Sequence, residues 1–174
     1  MNDFGLVQVY TGNGKGKTTA ALGLALRALG WNKKVCMIQF IKGKKKTGEL
    51  IITKKQIPHF SIHQFSNTNK IILRPTKKDC QIAIKTLKFA EKLIFSKKYD
   101  LIILDEINPA IKLKLISQND VIKILRKKPK NLELVLTGRG ASKKIIAAAD
   151  LVTEMKLIKH PFYKKIPARK GIEF

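Results

Sequence analysis

Residues 11–19, Thr-Gly-Asn-Gly-Lys-Gly-Lys-Thr-Thr, constrain this chain more than any other segment. They follow an apolar stretch, Leu6-Val7-Gln8-Val9-Tyr10, and precede a run rich in Ala and Leu that ends at Gly30. An apolar strand, a glycine-rich turn and a helix in that order form the setting of a phosphate-binding loop. Glycine lets the backbone curl so that successive N–H groups face one anion, and the helix N-terminus adds the positive end of its dipole. On this reading Gly12, Asn13, Gly14, Lys15, Gly16, Lys17, Thr18 and Thr19 hold the phosphates of a nucleotide. Lys17 meets the phosphates as a point charge, and the Thr18 hydroxyl helps to hold Mg²⁺. The usual pattern begins with glycine where this chain has Thr11. The competing reading is a solvated turn rich in Gly and Lys, which the flanking strand and helix disfavour.

The rest of the chain keeps the alternation that such a loop requires. Strands are expected at 6–10, 34–41, 59–65, 101–106, 132–138 and 151–156. Helices are expected from Lys17 to Leu29, closed by Gly30, from Thr76 to about Lys98, around 120–128 and at 142–149. Thr76 and Asp79 have the spacing of a capping box, and Cys80, Ile84, Leu87, Ala90 and Ile94 supply the apolar stripe behind it. Residues 42–49 read as a loop, residues 66–75 give no clear pattern, and the tail from His160 has no periodicity. Alternating strands and helices predict a three-layer α/β fold with a mainly parallel sheet. No repeat, low-complexity linker or composition break divides the 174 residues, so one domain, 1–174, is expected.

A second motif stands where the first needs a partner. Leu101-Ile102-Ile103-Leu104 delivers Asp105 and Glu106 to the end of a buried strand. In phosphate-loop proteins that edge faces the nucleotide, and an acid there holds Mg²⁺ directly or through water. Taken alone, the acid pair fits a capping or ion-paired role nearly as well. Glu106 could also activate water, so these residues do not separate hydrolysis from another transfer. Further on, Thr137-Gly138-Arg139-Gly140 joins a strand to a helix. Arg139 would bring a guanidinium to the nucleotide or an anionic substrate, against the plainer reading of an arginine paired with a surface acid.

Composition excludes more than it assigns. The net charge is +24, carried by five arginines and 31 lysines scattered along the chain. A nucleic-acid footprint clusters on one face and favours arginine, so a nucleic-acid partner is not expected. Cys36 and Cys80 lie far apart on apolar segments and read as reduced core residues. His59, His63 and His160 have no metal-ligand spacing. No segment reaches the roughly 18 apolar residues that cross a membrane, and residues 1–10 lack the signature of a secretory signal. A cytoplasmic enzyme with no membrane contact is the expectation.

The blocks TGNGKGKTTAALGLALRALG, VCMIQFIKG, LDEINPA, LELVLTGRGASKKIIAAADLVTEM and HPF with ARKGIEF occur in this order from Leu6 to Phe174. Together they resemble the ATP:cob(I)alamin adenosyltransferases of the CobA/CobO/BtuR type. The resemblance implies a RecA-like P-loop NTPase fold, a homodimer, ATP as co-substrate and Mg²⁺ as cofactor. It also implies transfer of the 5′-deoxyadenosyl group to the Co(I) of cob(I)alamin or a cobyrinic acid diamide, with triphosphate leaving and a reductase or flavodoxin supplying electrons. ATP would lie reversed in the loop. Lys17, Thr18 and Glu106 would be the catalytic residues, with Thr18, Glu106 and Asp105 around the metal. Two features depart from the pattern. Enterobacterial-type members have an N-terminal extension before the first strand, which here starts close to Met1. The family's glycine-containing aromatic loop corresponds to residues 65–71, which contain neither Gly nor Trp and leave Phe65 as the residue near the corrinoid. The family ending is either a strap that packs Phe162 and Phe174 on the surface or a lid over the substrate. Other classes consistent with the residues are a generic ATPase or kinase with Glu106 as base, a nucleic-acid-stimulated NTPase, and an inactive nucleotide-binding relative.

Overall fold

The computed structural model describes residues 4–41, 47–65 and 75–173. Its frame is six parallel strands: β1 (Val7–Thr11), β2 (Val35–Gln39), β3 (Phe60–Gln64), β4 (Leu101–Asp105), β5 (Glu133–Thr137) and β6 (Leu151–Glu154). They lie in the order β3-β2-β4-β5-β1-β6 and all pair in parallel. Parallel strands need crossovers, and helices α1 (Lys17–Gly30), α2 (Gly48–Gln56), α3 (Lys77–Phe95), α4 (Ile107–Lys112), α5 (Gln118–Lys127) and α6 (Lys143–Ala147) lie in them.

Because successive strand residues face opposite sides, each central strand feeds two cores. Val35, Met37, Leu101, Ile103 and Val135 pack with Ala21 and Ala25 of α1 on one face. Cys36, Ile38, Ile102, Leu104, Leu134 and Leu136 pack on the other with Leu87, Ala90 and Ile94 of α3 and with residues of α4, α5 and α6. This produces the expected three layers, and it explains why β2 and β4 are buried at every position. Burial raises the Cys36 thiol to a pKa of about 11, so it stays protonated as a core residue. Both cysteines are free thiols, with Cys80 half-buried.

Several expectations need adjustment. Gly30 is the last helical residue of α1 rather than its left-handed stop, and Asn32 takes the positive φ of 55°. The buried stripe of α3 runs through Ala83, Thr86, Leu87, Ala90 and Ile94, while Ile84 is exposed. Thr86 is tolerated there because its hydroxyl donates to the Ile82 carbonyl at 2.8 Å. Helices α2 and α4 were not expected; Gly48 and Glu49 open α2 instead of ending a loop. The tail forms a short 3₁₀ turn over Pro161–Lys164. The capping box of α3 is present, with Asp79 N–H donating to Thr76 Oγ1 at 3.2 Å and Thr76 N–H to Asp79 Oδ2 at 2.9 Å. No helix among the described residues is long and apolar enough to cross a membrane.

Candidate active site

The sheet topology places the glycine-rich loop and the acid-bearing motif one strand apart. β1 ends in the glycine-rich loop, β4 ends in Asp105, and β5 lies between them. All three therefore present their C-terminal ends at the same edge, where open α/β sheets bind ligands. A cleft of about 450 Å³ opens there, lined by Gly14 through Thr19, Glu106 and Arg139, with further walls from other elements.

The loop's shape depends on glycine at specific points. Gly12 has φ 92° and Gly16 has φ 114°, in the region that side chains rarely adopt. A Cβ on Gly14 would stand 2.7 Å from the Met155 carbonyl oxygen, which accepts the Gly14 N–H at 2.7 Å. The segment after β6 thus presses on the loop from outside. Thr11, at the position where glycine is usual, accepts from the Ala141 N–H at 3.2 Å and so ties the loop's first residue to the segment after Arg139. Lys17 is buried, and its ammonium donates to the Gly12 carbonyl at 2.9 Å and the Gly14 carbonyl at 2.5 Å. Burial lowers its pKa and the Arg139 guanidinium lowers it further, while Glu106 opposes both. Two cations and one carboxylate therefore act on the same small volume.

Asp105 is fully buried and acts as a hub. Its Oδ1 accepts from Thr18 Oγ1 at 2.8 Å and from Thr137 Oγ1 at 2.7 Å, and its Oδ2 accepts from Gln39 Nε2 at 3.1 Å. It stands directly behind Thr18 and is not among the residues that line the cleft. Glu106, next in sequence, does line the cleft. Its backbone takes a left-handed conformation, φ 60° and ψ 27°, at the start of α4, and its N–H donates to Thr137 Oγ1 at 3.0 Å. That turn separates the two acids, burying Asp105 and presenting Glu106. The loop after β5 is shaped by Gly138 (φ 121°), where a Cβ would collide with Pro109, and by Asn108 Nδ2, which donates to the Gly138 carbonyl at 3.4 Å.

Of the expected ATP residues, Gly14 to Thr19 and Arg139 line the cleft, whereas Gly12 is buried behind it and Asn13 is exposed off its wall. Phe65 is half-buried against Phe89, ring centroids 4.9 Å apart, and is not on the wall. The remainder of the 65–71 loop lies outside the described residues. Leu22, Gly48, Glu49 and His160 also line the cleft and were not expected. Gly171, Ile172 and Glu173 line it too, on the side where the lid reading of the family ending would put the tail. Lys15 meets Glu173 at 2.9 Å, and Arg169 holds the same carboxylate at 3.1 Å. These cations draw the Glu173 pKa down to about 2, the Arg169 hydrogen bond contributing most. Phe162 is 73% exposed and does not pack as the strap reading expects, while Phe174 lies outside the described residues.

The sequence profile described as "ATP:corrinoid adenosyltransferase BtuR/CobO/CobP" matches residues 3–174. The chain belongs to this adenosyltransferase family. A corrinoid adenosyltransferase of a Sinorhizobium species is 39% identical over 98% of this chain and 80% of its own length. The Pseudomonas aeruginosa corrinoid adenosyltransferase is 38% identical, covering 98% and 84%, and that of Escherichia coli K12 is 32% identical, covering 100% and 88%. Among solved structures, a KaiC-like protein from Pyrococcus horikoshii superposes with a TM-score of 0.54 at 14% identity, over 90% of this chain and 75% of the other. That likeness concerns the fold alone and agrees with a RecA-like arrangement. Family membership favours ATP-dependent adenosylation of a corrinoid over the generic ATPase and nucleic-acid-stimulated readings.

Proposed function

We propose that the cleft binds the triphosphate of ATP as a leaving group and that a reduced corrinoid attacks the ribose 5′ carbon. In this reaction the Co(I) electron pair forms the new Co–C bond, the C5′–O bond breaks, and its electrons leave on triphosphate. The observation that carries the reading is the convergence of Lys17, Thr18, Glu106 and Arg139 on one cleft wall formed by the glycine-rich loop. Negative charge grows on the leaving triphosphate, so fixed donors at that wall stabilise the transition state more than the ground state.

The donor set also fits Mg²⁺. A hydroxyl and a carboxylate are hard oxygen ligands, and Mg²⁺ bound with nucleotide commonly takes only one or two protein groups besides phosphates. Thr18 and Glu106 would hold the ion, and bound there it would neutralise charge on the phosphates. Asp105 fixes the Thr18 hydroxyl by taking its proton in a hydrogen bond, leaving the oxygen lone pairs for the ligand. Lys17 exchanges its two carbonyl contacts for phosphate oxygens, and Arg139 adds its planar fork. Glu106 needs no water to activate, because the nucleophile is the corrinoid. The family resemblance supports work as a single cytoplasmic domain paired in a homodimer, supplied with electrons by a reductase or flavodoxin, and with cob(I)alamin or a cobyrinic acid diamide as acceptor.

The direct test of the loop's role is Lys17→Ala. Transfer should fall by at least about 100-fold, the scale of losing a transition-state donor, while thermal unfolding shows a folded protein. Wild-type transfer in that variant would remove the loop from the mechanism.

A further inference from the structure

Behind the cleft, four adjacent strands end in one row of polar side chains. Gln64 of β3 is in register with Gln39 of β2, and Gln39 is in register with Asp105 of β4. Thr137 ends β5 beside them. Hydrogen bonds run along the row: Gln64 Nε2 donates to Gln39 Oε1 at 2.6 Å, Gln39 Nε2 to Asp105 Oδ2 at 3.1 Å, and Thr137 Oγ1 to Asp105 Oδ1 at 2.7 Å. From the front, Thr18 Oγ1 joins the same Oδ1.

The chemistry makes this row directional. A carboxylate only accepts, so the Gln39 amide must turn its NH₂ toward Asp105. Its carbonyl then faces β3, and Gln64 must answer with its own NH₂. Gln39 is fully buried, and a buried amide is kept only where its groups are matched. Nothing in sheet packing requires glutamine here, since the preceding residues of β2 are Val35, Cys36, Met37 and Ile38. What the amide adds is a donor on the outer oxygen of Asp105. That donor sets the carboxylate's rotation, and the rotation aims Oδ1 at both threonine hydroxyls.

We infer that Gln39 and Gln64 are positioning residues for the phosphate and metal end of the site, acting in series through Asp105 on the Thr18 hydroxyl. Gln64 also adjoins Phe65, whose ring rests on Phe89, so the row runs from the phosphate loop to the end of β3. The inference rests on the proposed Mg²⁺ role of Thr18.

The test is the affinity for ATP, measured by calorimetry with Mg²⁺ and again with excess EDTA, for wild type, Gln39→Met, Gln64→Met and the double variant. Methionine keeps volume and removes the donor. Gln39→Met should reduce the Mg²⁺-dependent gain in ATP affinity by about 10-fold, the low end for a partner behind a metal ligand, and leave the EDTA value unchanged. Gln64→Met, at the half-buried end, should lose less in the same direction. The double variant should match Gln39→Met, because Gln64 acts only through Gln39. Losses that multiply in the double variant, equal losses in EDTA, or no loss at all would each overturn the inference. Should Gln39→Met fail to fold, Gln64→Met alone decides between a Mg²⁺-specific loss and none. A wild type indifferent to Mg²⁺ would instead refute the metal reading itself, and this inference with it.

Discussion

At Glu106 the backbone adopts φ 60°, a conformation costly for a residue with a side chain. Such positions persist where the surroundings hold them and are common at functional sites. Here the turn buries Asp105 and turns Glu106 to the cleft within one peptide unit. Glu106→Gly should relieve strain of about 1 kcal/mol and raise Tm by roughly 2–4 °C, while transfer falls sharply. Parallel melting and transfer assays check this. A lower Tm would show that the Glu106 side chain contributes more stability than the turn costs. The separation of the two acids was not legible in the sequence, because a DE pair after an apolar run does not show which residue takes the left-handed turn. The strand, glycine-rich turn and helix around residues 11–19 were legible, since that local pattern is present and most of the loop lines the cleft.

The six strands and the long α3 were legible because short apolar runs bounded by turn residues, and a helix cap, leave local signals. Thr76 and Asp79 are an example: the reciprocal bonds predicted from their spacing are present. Thr76→Ala should cost about 1 kcal/mol and lower Tm by roughly 2–4 °C without affecting ATP binding. An unchanged Tm would mean that packing alone starts α3. Helices α2 and α4 escaped notice for physical reasons. α2 has no buried residue and hence no clear apolar stripe, and α4 is only six residues long and carries Pro109 inside. The tail's place beside the loop had no local signal, because it meets the loop through the Lys15–Glu173 ion pair and has no periodicity. Glu173 has its pKa held down to about 2, so its contribution is complete above the ordinary value near 4.5 and is lost as pH falls toward 2. The Glu173 side-chain carboxyl resonance should therefore titrate near pH 2 in wild type and move toward 4.5 in Arg169→Gln. An ordinary titration in wild type would show that the Arg169 and Lys15 contacts do not persist in solution.

For the whole molecule, strand order is what turns separate motifs into a site. With β5 between β1 and β4, the Thr137 hydroxyl reaches Asp105 and the loop bearing Arg139 reaches the cleft beside the glycine-rich loop. No local pattern encodes that order, so Gln39, Gln64 and Thr137 could not be read as members of one network beforehand. The net charge of +24 favours encounter with an anion such as ATP, but it is the clustered Lys15, Lys17 and Arg139 at one cleft that give the charge a place to act. On the proposed function, this cleft holds triphosphate as a leaving group. Purified protein should therefore be mixed anaerobically with MgATP and chemically reduced Co(I) cobalamin, and the products separated. Adenosylcobalamin and triphosphate in equal amounts, without ADP, are the predicted result; ADP and phosphate with no adenosylated corrinoid would contradict it.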